Sequence, residues 1–323
     1  MIVDGHNDLV LRVWRREPPK HLDLETARAA GFAGGFFALF VPNEEPFDEP
    51  AEVPYAMPLA PLIPTAQARA VALELAQTLE SLDVRGVRDV SDFRSGEIGA
   101  IMHLEGADPL EPDLSDLDEW FDRGLRSVGL VWSRANAFGE GVPFRFPDTP
   151  DTGPGLTDAG RALVRACNER GILVDLSHLN AAGFWDVAEL SEAPLVASHS
   201  NAWSLCKSTR NLEDDQLDAV ARSGGVVGVN FATGFLRADG DNTGDTPLAE
   251  IVRHVDYLVE RMGVEHVALG SDFEGAVVPD ELGGASGLPR LVEALAARGH
   301  DEDALAKITH GNWLRVLDAT WKP

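Results

Sequence analysis

The chain has 323 residues, an apolar fraction of 44% and a formal net charge of −26 at pH 7. This length allows a large buried core, whereas the acidic surplus would repel a phosphate backbone and so disfavours nucleic-acid binding. No apolar run is long enough to span a membrane, and no basic segment followed by an apolar stretch marks a secretion signal. Two cysteines, Cys167 and Cys206, are too few for a disulfide framework. We therefore expect a cytoplasmic protein that binds neither nucleic acid nor membrane.

Eight short apolar segments recur along the chain, and each ends in polar residues or glycine. Most are continuously apolar rather than alternating, which is typical of strands buried on both faces of a parallel sheet. The predicted strands cover residues 2–5, 36–41, 99–104, 127–131, 172–176, 195–198, 226–231 and 267–271. Helices are predicted between most of them, at 65–82, 117–124, 157–170, 180–190, 213–222, 247–262, 287–298, 301–309 and 312–317.

This alternation predicts an α/β fold, and eight strand–helix units favour a closed (β/α)8 TIM barrel over an open sheet. The competing doubly wound fold lacks its usual glycine-rich and phosphate-binding motifs in this sequence. Nothing marks a domain boundary, so we expect residues 1–323 to form one catalytic barrel domain. A segment at about 42–64 contains seven prolines and predicts a loop insertion after strand 2, and residues 138–155 predict a second long loop after strand 4.

Histidines and carboxylates lie at the carboxyl ends of five predicted strands, where barrel enzymes build their active sites. His6 and Asp8 follow strand 1, and their spacing directs both side chains to one face of an extended chain. The other strand ends carry Glu105, His178, His199 and Asp272. Burying these groups costs several kcal/mol unless they are paired or metal-bound, and zinc accepts both ligand types. The pattern predicts a metal site at the carboxyl ends of the strands.

Of the remaining histidines, His103 is the best candidate for a supporting role. Alternation along strand 3 places it on the same face as Glu105, so it is a candidate hydrogen-bond partner of that carboxylate. The others are expected in loops, on helix surfaces, at a helix start or at the opposite end of the barrel, and are not expected to bind metal: His21, His254, His266, His300 and His310.

The ordered set of motifs resembles the renal (membrane) dipeptidase family of binuclear zinc peptidases, which have an amidohydrolase-like barrel. The matching segments run in family order through nearly the whole chain: Asp4-Gly5-His6-Asn7-Asp8, His103-Leu104-Glu105-Gly106, Asp175-Leu176-Ser177-His178, Ser198-His199-Ser200, Arg210-Asn211, Val229-Asn230-Phe231, Gly270-Ser271-Asp272-Phe273 and Gly311-Asn312. Each segment is weak by itself, but their order is highly specific.

The resemblance implies a site with two zinc ions per chain. His6 and Asp8 would bind one ion, His178 and His199 would bind the other, and Glu105 would bridge the two. The neighbouring Asp4 is expected to hold His6 or the first strand in place rather than to bind metal.

The resemblance also implies residues that act on the substrate. Asp272 would contact the substrate and the bridging water as proton acceptor and later donor, and Arg210 would hold the substrate's C-terminal carboxylate. On sequence grounds alone, a surface salt bridge is the alternative for Arg210. Trp132 stands where better-known members have a histidine, and Phe235 replaces a tyrosine of some members. Tryptophan cannot take the acid–base role of histidine, so Trp132 is expected to contribute to substrate binding.

The activity implied by the resemblance is zinc-dependent hydrolysis of dipeptides with a free C-terminal carboxylate. A D-residue at the second position and a homodimeric state are both left open. Two alternatives also stay open at this point: a related binuclear-metal amidase, lactonase or deaminase, and a non-catalytic homologue that binds metal or ligand.

Overall fold

The computed structural model of the protein describes residues 1–43, 52–93 and 96–322. Eight strands follow one another in chain order around one sheet, and each pairs in parallel with the next. They are β1 (Ile2–Asn7), β2 (Phe32–Phe40), β3 (Gly99–Glu105), β4 (Leu125–Gly129), β5 (Leu173–Asp175), β6 (Val196–Ser200), β7 (Val226–Val229) and β8 (Val267–Leu269). A bridge between Asn7 and Phe273 links the end of β1 to the chain that follows β8. The strands form a nearly closed barrel, which confirms the predicted (β/α)8 fold.

The helices of the described residues follow the strands along the chain. They are α1 (Leu9–Trp14), α2 (Leu24–Ala29), α3 (Thr65–Ser81), α4 (Leu117–Arg123), α5 (Asp158–Arg170), α6 (Ala181–Leu190), α7 (Asp214–Arg222), α8 (Thr233–Leu236), α9 (Ala249–Met262), α10 (Leu288–Ala297), α11 (Glu302–Ala306) and α12 (Asn312–Thr320). The predicted helices are found with small shifts at their ends. The prediction missed α1, α2 and α8, which are too short to show a helical period.

The start of β2 and the end of the helix predicted at 301–309 differ from the prediction. The strand begins at Phe32, whereas the prediction starts at residue 36 because Gly34 and Gly35 interrupt the apolar pattern. Gly34 has a φ of +134°, and a Cβ there would lie 2.0 Å from the carbonyl oxygen of Gly99. The predicted helix at 301–309 instead ends at Ala306, and a π-helical turn over Lys307–Gly311 leads into α12.

Trp313 of α12 fills the interior of the barrel below the polar strand ends. It is fully buried among inward-facing residues such as Val3, Phe36 and Ile101, and its indole nitrogen donates to the carbonyl oxygen of Leu269 at 2.9 Å. A Cβ on Gly5 would lie 2.5 Å from the indole ring, so this position requires glycine. The part of the barrel interior around Trp313 is therefore apolar.

The two long loops predicted after strands 2 and 4 are joined to each other. Residues 44–51 of the proline-rich segment lie outside the described residues. Beyond them, Tyr55–Ala56 pairs antiparallel with Arg145–Phe146. The backbone nitrogen of Met57 also donates to the carbonyl oxygen of Phe144 at 2.9 Å. Since both loops leave the carboxyl ends of their strands, this ribbon lies on the side of the barrel that carries the polar residues.

The assignment of residues 1–323 to one domain stays a prediction.

None of the helices in the described part of the chain has the length and apolarity needed to cross a bilayer.

The expectation that His254 lies in a loop or on a helix surface is wrong, because its side chain is fully buried in α9. Nε2 lies 2.9 Å from the carbonyl oxygen of Leu236, and Nδ1 accepts from the backbone nitrogen of Ala202 at 3.3 Å. Both partners are backbone groups of fixed polarity, so the ring is neutral with its proton on Nε2. Burial lowers the pKa of His254 to about 3.

Replacing His254 with glutamine should flatten the loss of stability at acid pH. The unfolded chain protonates this histidine near pH 6.5, whereas the folded chain does so only near pH 3. Unfolding then takes up a proton between these values, so this residue lowers the unfolding free energy by about 1.4 kcal/mol for each unit of falling pH. Glutamine can donate to Leu236 and accept from Ala202 without titrating.

The measurement is urea unfolding of metal-free wild type and H254Q from pH 7 to pH 4. The variant should show the shallower dependence of unfolding free energy on pH. Equal slopes in the two proteins would contradict the assignment of a buried neutral histidine.

Candidate metal centre

The structure brings the five predicted metal ligands together at the carboxyl end of the barrel. They come from the ends of three strands, β1, β3 and β6, and from the chain that follows β1 and β5, and none is more than 7% exposed. They are His6, Asp8, Glu105, His178 and His199.

Glu105 lies between two groups of side chains. Its Oε2 is 3.5 Å from His6 Nε2, which is itself 3.4 Å from Asp8 Oδ2. Its Oε1 is 3.1 Å from His178 Nε2 and 3.6 Å from His199 Nε2. Each oxygen of this one carboxylate therefore faces a different group.

Two serine hydroxyls contact the far sides of the imidazole rings. Ser198 Oγ donates to Asp175 Oδ2 at 2.5 Å and lies 2.7 Å from His199 Nδ1. Because the hydroxyl proton of Ser198 goes to Asp175, its oxygen accepts from Nδ1, and Nε2 of His199 is left with a lone pair. Ser133 Oγ lies 3.0 Å from Nδ1 of His178. Both rings thus turn Nε2 toward Glu105.

The electrostatics of the cluster differ between its two sides. Burial lowers the pKa values of His178 and His199 well below the usual range, and the nearby positive charge of Arg210 adds to this effect. Burial also lowers the pKa of His6, but the carboxylates of Glu105 and Asp8 together outweigh it and raise that pKa well above the usual range. Burial raises the pKa of Glu105 to about 7. The carboxylates of Glu105 and Asp8 thus favour positive charge beside them.

This donor set fits metal ions. Nε2 of His178 lies 3.1 Å from Nε2 of His199 and 3.1 Å from Oε1 of Glu105, and such acceptors repel one another unless a proton or cation lies between them. Neutral imidazole nitrogens and carboxylate oxygens are ligands of zinc and related divalent metals. Two sets of three residues each have candidate ligand atoms that all lie within 4.8 Å of one another. One set is His6, Glu105 and His199, and the other is His6, Asp8 and Asp272.

Asp272 lies beside this cluster, immediately after β8. Its Oδ2 accepts from Asn230 Nδ2 at 2.9 Å, and its backbone nitrogen donates to the carbonyl oxygen of His6 at 3.1 Å. Burial raises the pKa of its carboxyl group, and Asp8 adds to the shift. The residue has a φ of +59°, a left-handed conformation that is costly for aspartate.

Glu274 has no role that is predicted from the sequence, yet its carboxylate anchors the backbone that carries Asp272. It too has a left-handed φ, +72°. Its side-chain oxygens accept from the backbone nitrogens of Lys20, His21 and Leu22 at 2.7–3.0 Å. The chain after α1 is thereby tied to the chain after β8, which offsets the strain of the two left-handed residues.

Asp4 and His103 support the cluster from below. Asp4 accepts from the backbone nitrogen of Ser271 at 2.7 Å and from its hydroxyl at 2.8 Å, and so ties β1 to the end of β8. The expected pairing of His103 with Glu105 is wrong. Its Nδ1 lies 2.9 Å from Ser127 Oγ, and its Nε2 lies 3.6 Å from Asp175 Oδ2. Alternation places His103 inside the barrel, but one layer deeper than the cluster.

Arg210 lies inside the protein with 3% of its surface exposed, so the alternative of a surface salt bridge is wrong. One guanidinium nitrogen, Nη2, donates to the carbonyl oxygen of His199 at 3.1 Å. The guanidinium carbon lies 5.4 Å from the centre of the Phe235 ring. Nε is buried without a hydrogen-bond partner among the described residues.

A cavity of about 340 Å³ opens above the cluster. Asp8, Glu105, His178 and Asp272 contribute the part of its lining that lies at the cluster, Arg15 and Glu274 add further charged groups, and aromatic rings contribute much of the rest. Trp132 is among them, with its ring centre 5.9 Å from that of His178. The structure thus places Trp132 at the cavity wall, where it can contact a ligand but cannot bind metal.

A family model described as membrane dipeptidase, peptidase family M19, matches residues 1–322. The chain belongs to this family. It is therefore classed as a metallo-dipeptidase, a hydrolase of peptide bonds, and the resemblance seen in the motifs is confirmed.

Three similar proteins match most or nearly all of the chain, and two of them are peptidases with solved structures. An uncharacterised protein from the pqqA 5′ region of Klebsiella pneumoniae is 51% identical over 235 residues, which cover 72% of this chain and 87% of that protein. A metallo peptidase from Rhodobacter sphaeroides, crystallised with a phosphinate mimic of the dipeptide L-Ala-D-Ala, is 44% identical with a TM-score of 0.95, and 99% of each chain is covered. The dipeptidase AC, a family M19 metallo peptidase, is 45% identical with a TM-score of 0.94, over 99% of this chain and 98% of its own.

Removing the hydroxyl of Ser198 should weaken metal binding at the cluster, with zinc as the probe. Ser198→Ala cuts the link from Asp175 to His199 and leaves the imidazole free to rotate and to change tautomer, which typically costs about 10- to 100-fold in metal affinity. Zinc dissociation constants, measured by competition with a chromophoric chelator, check this. Ser81→Ala, at the end of α3, is the matched control. Equal affinities for wild type and Ser198→Ala would show that the hydroxyl does not orient a ligand.

Proposed function

We propose that the protein is a dipeptidase that binds two zinc ions and hydrolyses dipeptides with a free C-terminal carboxylate. The observation that carries this proposal is the position of Glu105, whose two oxygens face separate groups of candidate ligands. His6 and Asp8 would hold one ion, His178 and His199 the other, and Glu105 would be shared. Zinc bound here would supply Lewis-acid activation of a water molecule and of the scissile carbonyl.

Asp272 is the proposed carrier of the proton in this reaction. The side-chain amide of Asn230 fixes Oδ2, and burial makes the carboxylate a stronger base than an exposed aspartate. Asp272 can therefore accept a proton from the attacking water and return it to the leaving amine. The bonds from Glu274 to the chain after α1 keep its backbone in position for both transfers.

Arg210 is the proposed binding group for the substrate's carboxylate. A guanidinium group presents its donors in a planar fork that matches a carboxylate. One donor of Arg210 is used by the backbone of His199, and its buried Nε has no partner in the described part of the chain. Contact with the terminal carboxylate would orient the scissile bond over the metal cluster. The Rhodobacter sphaeroides relative was crystallised with a mimic of L-Ala-D-Ala, so the proposal includes a D-residue at the second position.

Removal of metal should abolish dipeptide hydrolysis. Protein purified without chelator is expected to contain about two zinc equivalents. It should lose activity when they are removed, because the ions would activate the attacking water. Activity toward L-Ala-L-Ala and L-Ala-D-Ala, assayed during titration of the stripped enzyme with zinc, should return as two equivalents bind. Cleavage of these dipeptides by the metal-free protein would contradict the proposal. An N-acyl amino acid and a lactone in the same assay test the related amidase and lactonase alternatives.

The change of Asp272 to asparagine should leave zinc bound yet lower kcat by about 100- to 10,000-fold, because asparagine cannot carry the proton. Zinc content by elemental analysis and steady-state kinetics on one preparation separate these effects. Asp83→Asn, at an exposed carboxylate, is the control. Near wild-type turnover in Asp272→Asn would assign proton transfer to another group.

A cytoplasmic location and a homodimer stay predictions.

A further inference from the structure

Besides Tyr55, four aromatic rings line the cavity and form one continuous wall, which we name the aromatic wall: Phe40, Trp132, Phe144 and Phe235. The centres of successive rings are 4.9, 5.7 and 6.1 Å apart, and the last two rings are nearly parallel, with an interplanar angle of 8°. All four are only partly buried, whereas six other phenylalanines in the described part of the chain are less than 2% exposed. Covering the apolar rings of a cavity wall with a ligand removes apolar surface from water, which favours binding.

The aromatic wall begins at the metal cluster. The ring centres of Trp132 and Phe144 lie 5.9 and 6.4 Å from that of His178, and Phe144 meets this imidazole edge to face. A substrate whose scissile bond lies over the cluster would therefore have Phe144 beside it.

The other end of the aromatic wall meets Arg210, whose guanidinium carbon lies 5.4 Å from the Phe235 ring centre. The order from Arg210 through Phe235 and Phe144 to His178 follows the order of groups in a dipeptide, from the terminal carboxylate to the scissile amide. The Cα atom between these two groups would lie against the pair Phe144–Phe235. This Cα belongs to the second residue of the dipeptide, so the side chain of that residue meets the pair.

The two rings give this part of the cavity an apolar surface. Neither Phe144 nor Phe235 offers a donor or acceptor, so a polar side chain placed against them would lose hydration without a replacement from the rings. Beside them the lining contains Ala232, Gly234 and Val277, together with the polar side chain of Asn242. The backbone nitrogen of Thr233 donates to the carbonyl oxygen of Val277 at 2.9 Å, which holds these two segments side by side. The cavity, at about 340 Å³, has room for a large side chain.

We infer that Phe144 and Phe235 form a subsite for the side chain of the substrate's second residue, and that the enzyme prefers dipeptides whose second residue is large and apolar. This inference rests on the proposed function, and it names the substrate class within it.

The test measures kcat/KM of the zinc-loaded enzyme for dipeptides that share alanine as the first residue. The second residue is alanine, leucine, phenylalanine, serine or aspartate, each in its L and D form. Leucine and phenylalanine should exceed serine and aspartate by about tenfold or more in the better-cleaved stereochemical series, as apolar pockets discriminate by this amount.

Variants assign the preference to the subsite. Phe144→Ala should lower the ratio of leucine to alanine substrates about tenfold, whereas Phe144→Leu, which keeps an apolar side chain, should retain most of it. The control is Phe121→Ala. Phe121 lies on α4, its ring packs against the guanidinium of Arg126, and it does not line the cavity. This variant should leave the ratio at its wild-type value. Phe235→Ala gives the same comparison if Phe144→Ala does not fold.

The outcomes separate this inference from the proposed function. If no dipeptide is cleaved, the proposed function falls and the inference falls with it. If dipeptides are cleaved but serine and aspartate substrates match leucine, only the inference is overturned. The same holds if the preference for leucine survives in both alanine variants of the subsite.

Discussion

The metal centre depends on keeping one carboxylate, Glu105, buried between two sets of acceptor atoms. Such an arrangement is unfavourable by itself, because desolvated acceptors that face one another repel. Parallel strands that end at one rim bring these groups together. The serine hydroxyls behind His178 and His199 then prevent either ring from turning its Nε2 away. The surrounding structure therefore maintains a cluster that a bound cation stabilises.

The barrel and the identity of the polar cluster could be predicted from the sequence, because both follow from repeated local signals. Continuous apolar segments mark buried strands, and the residue just after a strand must lie at the rim. His6 and Asp8 were predictable for this reason. The hydrogen bonds that orient the cluster were not, because Ser133 and Ser198 become partners of histidines only after distant strands meet. Glu274 likewise contacts backbone nitrogens more than 250 positions away.

Other differences arise where burial overrides local pattern. His254 looks like a residue of a helix surface, yet α9 turns it toward two backbone groups that need a donor and an acceptor. Arg210 looks like a partner in a surface salt bridge, but the loop that carries it folds inward behind His199. The period of α9 puts His254 on the same face as Ile251 and Leu258, but the groups that His254 and Arg210 contact come from elements far away in the sequence.

The position of Trp313 has a consequence for the order in which the protein matures. His6 belongs to the first strand, but the floor beneath it is a ring from α12, and its neighbour Gly5 is fitted to that ring. The first two candidate ligands therefore lack their support until more than 300 further residues have left the ribosome. Metal loading should then be a late event that follows closure of the barrel by its last helix, rather than a step that guides early folding.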